Sequence, residues 1–381
     1  MKTTDYNKSL REVSELNNNE IFHYWKGRVA LSAIFKAIDL SEDDEVILPA
    51  FTCVVVPNAI LYLKAKPIYV DINLKTYNTT LKKIKSKVTP KTKVVICQNT
   101  FGLSSEVDEI SKWCKQNNII TIEDCTHGFG GKFKGSPNGS FCDFAFYSSQ
   151  WNKPHSTGIG GFAIVNDSNY ITKLRRVNKD LIKPGLKSTF ILKSLIFTRK
   201  NLVSENNYWR LLKLYRYLSK KNLVVGSSSG EEISSIEEPK KYFSGASKTQ
   251  IKEGEKSVKS LKKDIILRKE NALIYYDFLQ KNNKTNVSKD LFDNHSFLKY
   301  PLLVSNQTEF LELAKKNKIE LGEWFNSPIH PVQQDFKLWK LNIEEFPNAK
   351  KISKLIVNLP TDTNNINNVL SFLEKNLKYI C

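Results

Sequence analysis

From about residue 29 onward, short apolar runs alternate with stretches whose apolar residues recur at helical spacing. The runs Glu45–Pro49, Pro67–Asp71, Lys93–Cys97, Ile119–Glu123, Asp143–Tyr147 and Gly161–Val165 predict strands buried on both faces. Between them, Val29–Ile38, Val54–Leu63, Leu81–Val88 and Val107–Gln116 predict helices. This alternation implies an α/β fold with a mostly parallel sheet covered by helices on both sides. Ligands of such sheets bind beyond the C-terminal strand ends. Thr52, Asn99, Asp124, His127 and Ser148 each follow a predicted strand, so polar residues collect on that edge.

The pattern changes after residue 182. Residues 183–245 hold two apolar stretches, Thr189–Phe197 and Tyr208–Leu218, both read as amphipathic and basic, and a Ser/Gly/Glu-rich link at 226–232. A single long helix is expected over Ile251–Leu279. Beyond it, Ser296–Val304, a helix over Thr308–Lys316 and a helix over Val369–Leu377 predict a smaller α+β unit. The expected organisation is therefore a large domain over 1–182, a basic and partly helical insertion over 183–245, a linking helix over 246–280 and a small C-terminal domain over 281–381. No internal repeat is visible.

Composition narrows the class. With 381 residues, 40% hydrophobic and 25% charged, the chain has ample material for a core. No run approaches the length of a membrane span, and the first ten residues contain no apolar leader, so a cytoplasmic location is expected. The six cysteines are scattered without a C-x-x-C pair, which points to reduced, mostly core-packing thiols and to no metal site. The net charge of +19 is uneven: residues 181–221 carry ten lysines and arginines against one glutamate.

Candidate chemistry centres on Lys153. It lies in a loop after a predicted strand, between Ser148 and the glycine-rich Thr157–Gly161. Upstream, a strand ends in Glu123-Asp-Cys-Thr-His127. A lysine and an aspartate so placed suit pyridoxal phosphate: the amine forms a Schiff base with the aldehyde, and the carboxylate keeps the pyridine nitrogen protonated. Burial lowers a lysine pKa, and only the neutral amine is nucleophilic. His127 is placed to face the ring or its phenolic oxygen. Gly27, Arg28 and Val29 open a predicted helix, whose free N–H groups and positive end attract phosphate. Ser148 can add a hydroxyl. Against each role stands a blander one: a surface lysine, a turn-capping aspartate, a structural histidine, an ordinary helix start.

In these stretches the chain resembles the DegT/DnrJ/EryC1/StrS aminotransferases, which usually act on nucleotide-linked keto sugars. The resemblance runs from about Gly27 to about Thr361. It rests on Gly27–Leu31, Asp44–Thr52, Pro67–Asp71, Thr100–Gly102, Glu123–His127, Lys153 with Gly158–Gly161, and Trp324–Pro331. It implies a fold-type I homodimer with active sites at the subunit interface. It makes Lys153 the Schiff-base lysine and Asp124 the pyridine partner. Gly27, Arg28, Val29 and Ser148 become phosphate ligands, with His127 near the ring and His330 near substrate. It also implies transamination from an amino donor, glutamate in most members, whose carboxylate needs a cation such as Arg28. Three positions depart from the family pattern. Arg28 stands where many members have threonine. Cys53 stands where an aromatic residue stacks on the ring, which leaves that contact to Phe51 or His127. Phe243-Ser-Gly-Ala-Ser247 lacks the arginine that reaches a neighbouring subunit's phosphate, a charge that Arg28 could replace.

The basic stretch 181–221 admits three readings: a solvated insertion packing its Leu and Phe face on the main domain, a contact with anionic membrane at the inner face, or nucleic acid. No recognition motif accompanies the charge, so no nucleic-acid partner is expected. The sugar aminotransferase reading has two rivals. One keeps the cofactor but dehydrates its substrate or aminates a small keto compound; the other is an idle, binding or regulatory family member. Lys153 and Asp124 together argue against the idle one.

Overall fold

Valine- and isoleucine-rich runs form the centre of one seven-stranded sheet. The computed structural model describes residues 3–16, 20–104, 106–204, 207–220, 224, 226, 230–293 and 295–381. In chain order its first half comprises α1 (Thr3–Ser14), β1 (Glu20–Tyr24), α2 (Gly27–Ala37), β2 (Glu45–Pro49), α3 (Val55–Leu61), β3 (Lys66–Val70) and α4 (Leu81–Lys85). Then come β4 (Thr92–Gln98), α5 (Val107–Gln116), β5 (Ile120–Asp124), β6 (Phe144–Ser148), β7 (Gly161–Val165) and α6 (Ile171–Val177). The spatial order is β1-β7-β6-β5-β4-β2-β3. Neighbours from β3 to β6 are parallel, whereas β7 is antiparallel to both β6 and β1.

Both faces of the sheet are dry. Val46, Leu48, Val94 and Ile96 point into the main core with α2 and α3, while Ile47, Val95 and Cys97 point the other way against Ile110 and Cys114 of α5. The period of two sends alternate side chains to opposite faces, which is why these strands read as continuous apolar runs. Four of the six free cysteines are buried, as expected of packing thiols. Two elements at the start of the chain were not anticipated. Edge strand β1 alternates too weakly to stand out. Helix α1 buries only Tyr6, Leu10 and Ser14 among its described side chains.

The insertion contains α7 (Leu186–Asn201) and α8 (Tyr208–Lys220). Helix α7 touches the body through Leu192 and Ile196, which cluster with Ile159, Trp25 and Trp151. Leu186, Phe190 and Phe197 lie on another face and are 91%, 70% and 59% exposed. The expectation of a simple amphipathic helix is thus corrected for α7, whose apolar residues occupy two faces with cations between them.

The long helix expected over Ile251–Leu279 is two helices, α9 (Lys248–Ser257) and α10 (Leu261–Lys281), joined by a tighter turn over Val258–Ser260. At the junction the Ser257 and Ser260 hydroxyls donate to carbonyls three residues back, and such back-bonding favours the narrower turn. Val258 and Leu261 are fully buried there, so packing holds the break in place. Helix α10 donates from Asn271 Nδ2 to the carbonyls of Thr361 and Thr363, tying it to the C-terminal unit. That unit has β8 (Lys299–Leu303) antiparallel to β9 (Ile356–Pro360), with α11 (Gln307–Lys316), α12 (Pro347–Leu355) and α13 (Ile366–Lys375) around it.

Two glycines set the contact between α2 and the sheet. A Cβ on Gly161 would lie 2.2 Å from the Gly27 Cα, and one on Gly27 would lie 2.9 Å from the Tyr147 carbonyl oxygen. Gly161→Ala is therefore expected to destabilise the protein by about 3 kcal/mol, the upper range for overpacking. Gly185→Ala, where a Cβ would meet nothing within 4 Å, should change stability by less than about 0.5 kcal/mol. Urea unfolding of both variants checks the pair; equal midpoints would refute the close approach.

Candidate active site

The direction of the strands places the site. β4, β5 and β6 end at Gln98, Asp124 and Ser148, and antiparallel β7 begins at Gly161, all on one edge of the sheet. β1 runs to the same edge, and α2 starts three residues after its end, at Gly27. The C-terminal unit closes the other side: Ile329–His330 pairs in parallel with Thr52–Cys53, and the Val54 N–H donates to the His330 carbonyl at 2.8 Å. The enclosed cavity measures about 600 Å³ and is walled by Gly27, Arg28, Cys53, Asp124, His127, Ser148, Lys153, Trp324 and His330 among others.

Lys153 is held by a braced loop. The Ser149 N–H donates to the Gly160 carbonyl at 2.9 Å, and the Thr157 N–H donates to the Ser149 carbonyl at 2.8 Å. Gln250, at the start of α9, donates to the Ile159 carbonyl at 2.5 Å and to the Trp25 carbonyl at 3.0 Å. The loop therefore cannot swing freely, and Lys153 Nζ sits 4.3 Å from the centroid of the Trp324 ring. Burial pulls its pKa down to about 8; Cys53 and Asp124 oppose that shift, and the nearby Arg28 adds to it.

Asp124 is buried, with one carboxylate oxygen accepting the Thr126 N–H at 3.0 Å. Burial raises its pKa, against the lowering by the Thr126 bonds and by Lys153. A cationic ring nitrogen would satisfy this carboxylate. His127 accepts the Phe101 N–H on Nδ1 at 3.2 Å, so in the neutral ring the proton is on Nε2. Burial, then the charge of Lys153, keeps the ring neutral. It lies parallel to Trp324 and Phe325, with centroids 4.8 and 5.7 Å away. His330 is fixed by Asn326 at 2.9 Å, and burial pulls its pKa down to about 4.

The start of α2 meets the end of β6 in this wall. Gly27 and Ser148 abut, and Gly160 joins them in the cavity wall, a cradle that side chains would fill. Arg28, however, is not an uncommitted cation. Its guanidinium forms a buried ion pair with Glu232, from the turn Glu231–Ile233 of the insertion. Burial opposes the Arg28 charge, but Glu232, with Cys53 and Tyr242, raises its pKa above the ordinary value. Asn58 anchors that turn, donating to the Glu232 carbonyl at 2.7 Å.

Two candidates stand back from the cavity. Phe51 is buried edge-on against Phe101 and Phe325 and forms no part of the wall, so of the two residues considered for ring stacking only His127 faces the site. Val29 is buried in the main core, and its N–H donates to the Lys26 carbonyl at 3.1 Å. The stretch Phe243–Ser247 runs beside β1, where the Ser244 carbonyl accepts the Trp25 N–H at 3.0 Å. The sequence reading gave no site role to Gln98 and Trp324, which line the wall, or to Glu232 behind Arg28. Gln98 ends a predicted strand and was legible in principle; the other two come from segments far along the chain.

Removing one partner of a buried ion pair leaves an uncompensated charge. Glu232→Ala is expected to cost about 3 kcal/mol, and Glu232→Gln less, because the amide still accepts a hydrogen bond. Urea midpoints of the two variants against the parent check this, and unchanged midpoints would exclude the pair.

Residues 23–190 and 252–369 match the sequence model of the DegT/DnrJ/EryC1/StrS aminotransferase family. The GDP-perosamine synthase of Escherichia coli O157:H7 is 39% identical over 141 residues, 37% of this chain and 39% of that protein. A second GDP-perosamine synthase, from Caulobacter vibrioides, is 28% identical over 200 residues, 52% of this chain and 54% of that protein. The match thus spans about half the length of these relatives or less. An uncharacterised protein of Methanocaldococcus jannaschii is 28% identical over 339 residues, 85% of this chain and 76% of that one. In fold, the PMP-form of a putative sugar aminotransferase from Streptococcus pneumoniae superposes with a TM-score of 0.73 at 16% identity, covering 97% of this chain and 91% of that one. With its seven-stranded sheet and a family match over most of its length, the chain belongs to the DegT/DnrJ/EryC1/StrS aminotransferase family and has the fold-type I architecture.

Proposed function

We propose that this protein is a pyridoxal phosphate-dependent aminotransferase that moves an amino group from glutamate to a keto sugar, with a nucleotide-linked sugar as the acceptor. The observation that carries the reading is the meeting of Lys153, Asp124, Ser148 and Gly27 around one cavity at the C-terminal edge of the sheet. The names of the GDP-perosamine synthases support a nucleotide-sugar acceptor. Bound in this cavity, pyridoxal phosphate supplies an aldehyde for amine exchange and a ring that accepts electrons from the substrate carbon.

The chain's own residues do the rest. Asp124 holds the ring nitrogen protonated. Gly27 backbone and the Ser148 hydroxyl receive phosphate oxygens at the positive start of α2. Lys153 Nζ would hold the cofactor's aldehyde as a Schiff base and, when freed by the donor amine, would serve as the general base and acid that moves the donor's Cα proton. The neutral His127 ring offers its Nε2 proton to an oxygen. Trp324 and Phe325 keep the pocket apolar around the reacting carbon. Because Arg28 is paired with Glu232, the donor carboxylate needs a different cation. A homodimer would bring such a group from the partner subunit, as the resemblance implies.

Covalent capture tests this directly. Borohydride reduction of the protein with pyridoxal phosphate should label Lys153, and Lys153→Ala should remove the label. Added glutamate should yield 2-oxoglutarate in the parent; capture without that product would retain the cofactor and reject the transaminase. The capture rate should rise with pH through about 8, the lowered pKa of Lys153. With that pKa, roughly a tenth of the amine is already neutral at pH 7. A rate that keeps climbing beyond pH 10 would assign the lysine an ordinary pKa.

Among the described residues no helix is long and apolar enough to cross a membrane. We further propose that the outer face of α7 rests on anionic lipid at the cytoplasmic side of a membrane. Its exposed Leu186, Phe190 and Phe197 are interleaved with Lys187 and Lys193, while Lys200 pairs with Glu253 of α9, and the pairing of apolar and cationic side chains matches an acidic bilayer surface. Phe190→Glu combined with Phe197→Glu should abolish sedimentation with phosphatidylglycerol vesicles. Sedimentation equal to that of the parent would reject the contact.

A further inference from the structure

Lys153 faces a second chamber as well as the cavity just described. This space measures about 460 Å³ and shares Gln150, Lys153, Tyr215, Arg216 and Trp324 with the first, so the two adjoin. Its outer walls are α7 and α8, with Trp151 and Glu320 opposite. The family match stops at residue 190 and resumes at 252, so most of α7 and all of α8 lie outside it. Residues outside the family match thus supply the outer walls of the chamber.

The chemistry of these walls is specific. The Arg199 guanidinium lies over the Trp151 ring, 5.3 Å from its centroid. A guanidinium stacked on a ring keeps its N–H edge available for oxygen ligands. Arg216 stands at the junction of the two spaces, beside Tyr215. Among the described residues of the wall the one carboxylate, Glu320, accepts the Tyr208 hydroxyl. Two arginines beside three aromatic side chains, Trp151, Tyr215 and Trp324, suit an anion attached to a flat or apolar group. Arginine binds phosphate oxygens in a fork, and aromatic faces take bases or prenyl chains.

We propose that this chamber holds the diphosphate-bearing aglycone of the acceptor, with the diphosphate on Arg199 and Arg216 and the sugar ketone directed inward to Lys153. The proposal rests on the keto-sugar reading and deepens it. It assigns the recognition of the carrier to the insertion of the same chain. The diphosphate is the shared chemistry of two carriers, a nucleoside and an isoprenoid.

Calorimetric titration of the full-length protein with UDP, GDP and geranyl diphosphate at fixed ionic strength tests it. At least one of the three should bind, and Arg199→Gln and Arg216→Gln should each weaken it at least tenfold. Lys112→Gln on α5, which removes the same charge outside the chamber, should change binding less than twofold. Tighter binding of UDP or GDP assigns a nucleotide carrier, and tighter binding of geranyl diphosphate assigns an isoprenoid one; either outcome supports the chamber when the arginines control it. Absence of binding by all three would overturn it. So would affinities unchanged in both arginine variants, or a loss in Lys112→Gln as large as theirs. Titration needs no turnover, so failure here is read separately from failure of cofactor capture at Lys153.

Discussion

Helix α2 can deliver its first turn to the end of the sheet only because no side chain separates Gly27 from Gly161 and Ser148. Everything at the phosphate end depends on this contact. It sets the helix N-terminus beside the end of β6 and the start of β7, where backbone N–H groups and the Ser148 hydroxyl converge. The same strand ends carry Asp124 one strand over and lead into the loop of Lys153. The distance between the two ends of a bound cofactor is thus fixed by sheet geometry, and Gln250 of α9 then fixes the loop.

Much of this was legible in the sequence, for a physical reason. Strands buried on both faces are continuous apolar runs, and Glu45–Pro49 and Gly161–Val165 coincide with their predicted bounds. Because parallel strands share a direction, residues that follow them must share an edge, so Asp124 and Ser148 could be placed together before any coordinates. Long-range pairing was not legible. Nothing local in Glu232 marks it as the partner of Arg28, 204 residues away in the chain. Nor does Trp324 announce that it will lie beside Lys153. The break between α9 and α10 was hidden because serine interrupts helical periodicity only slightly; its effect appears when Val258 and Leu261 are packed.

The electrostatic balance of the cavity follows from the same topology. Lys153, Arg28 and Lys26 gather positive charge where a phosphate and carboxylates are to bind, and Asp124 and Glu232 offset part of it. Desolvation acts on all of them, and it lowers both Lys26 and Lys153 toward neutrality. Arg28, though paired with Glu232, still lowers the Lys153 pKa, while Cys53 and Asp124 raise it.

The insertion turns one pair of helices into a boundary with two sides. Leu192 and Ile196 of α7 dock on the Lys153 loop through Ile159 and Trp151, so the insertion is not a loosely tethered appendage. Arg199 and Arg216 then face inward to the chamber, while Phe190 and Phe197 face outward. A helix that must serve both sides cannot keep its apolar residues on a single face, which accounts for the pattern that misled the amphipathic reading of α7. On the two proposals made for this segment, its excess positive charge would serve a diphosphate within and acidic lipid without. The acceptor would then be captured where the enzyme meets the membrane, with the width of α7 between the bilayer and the chamber beside Lys153.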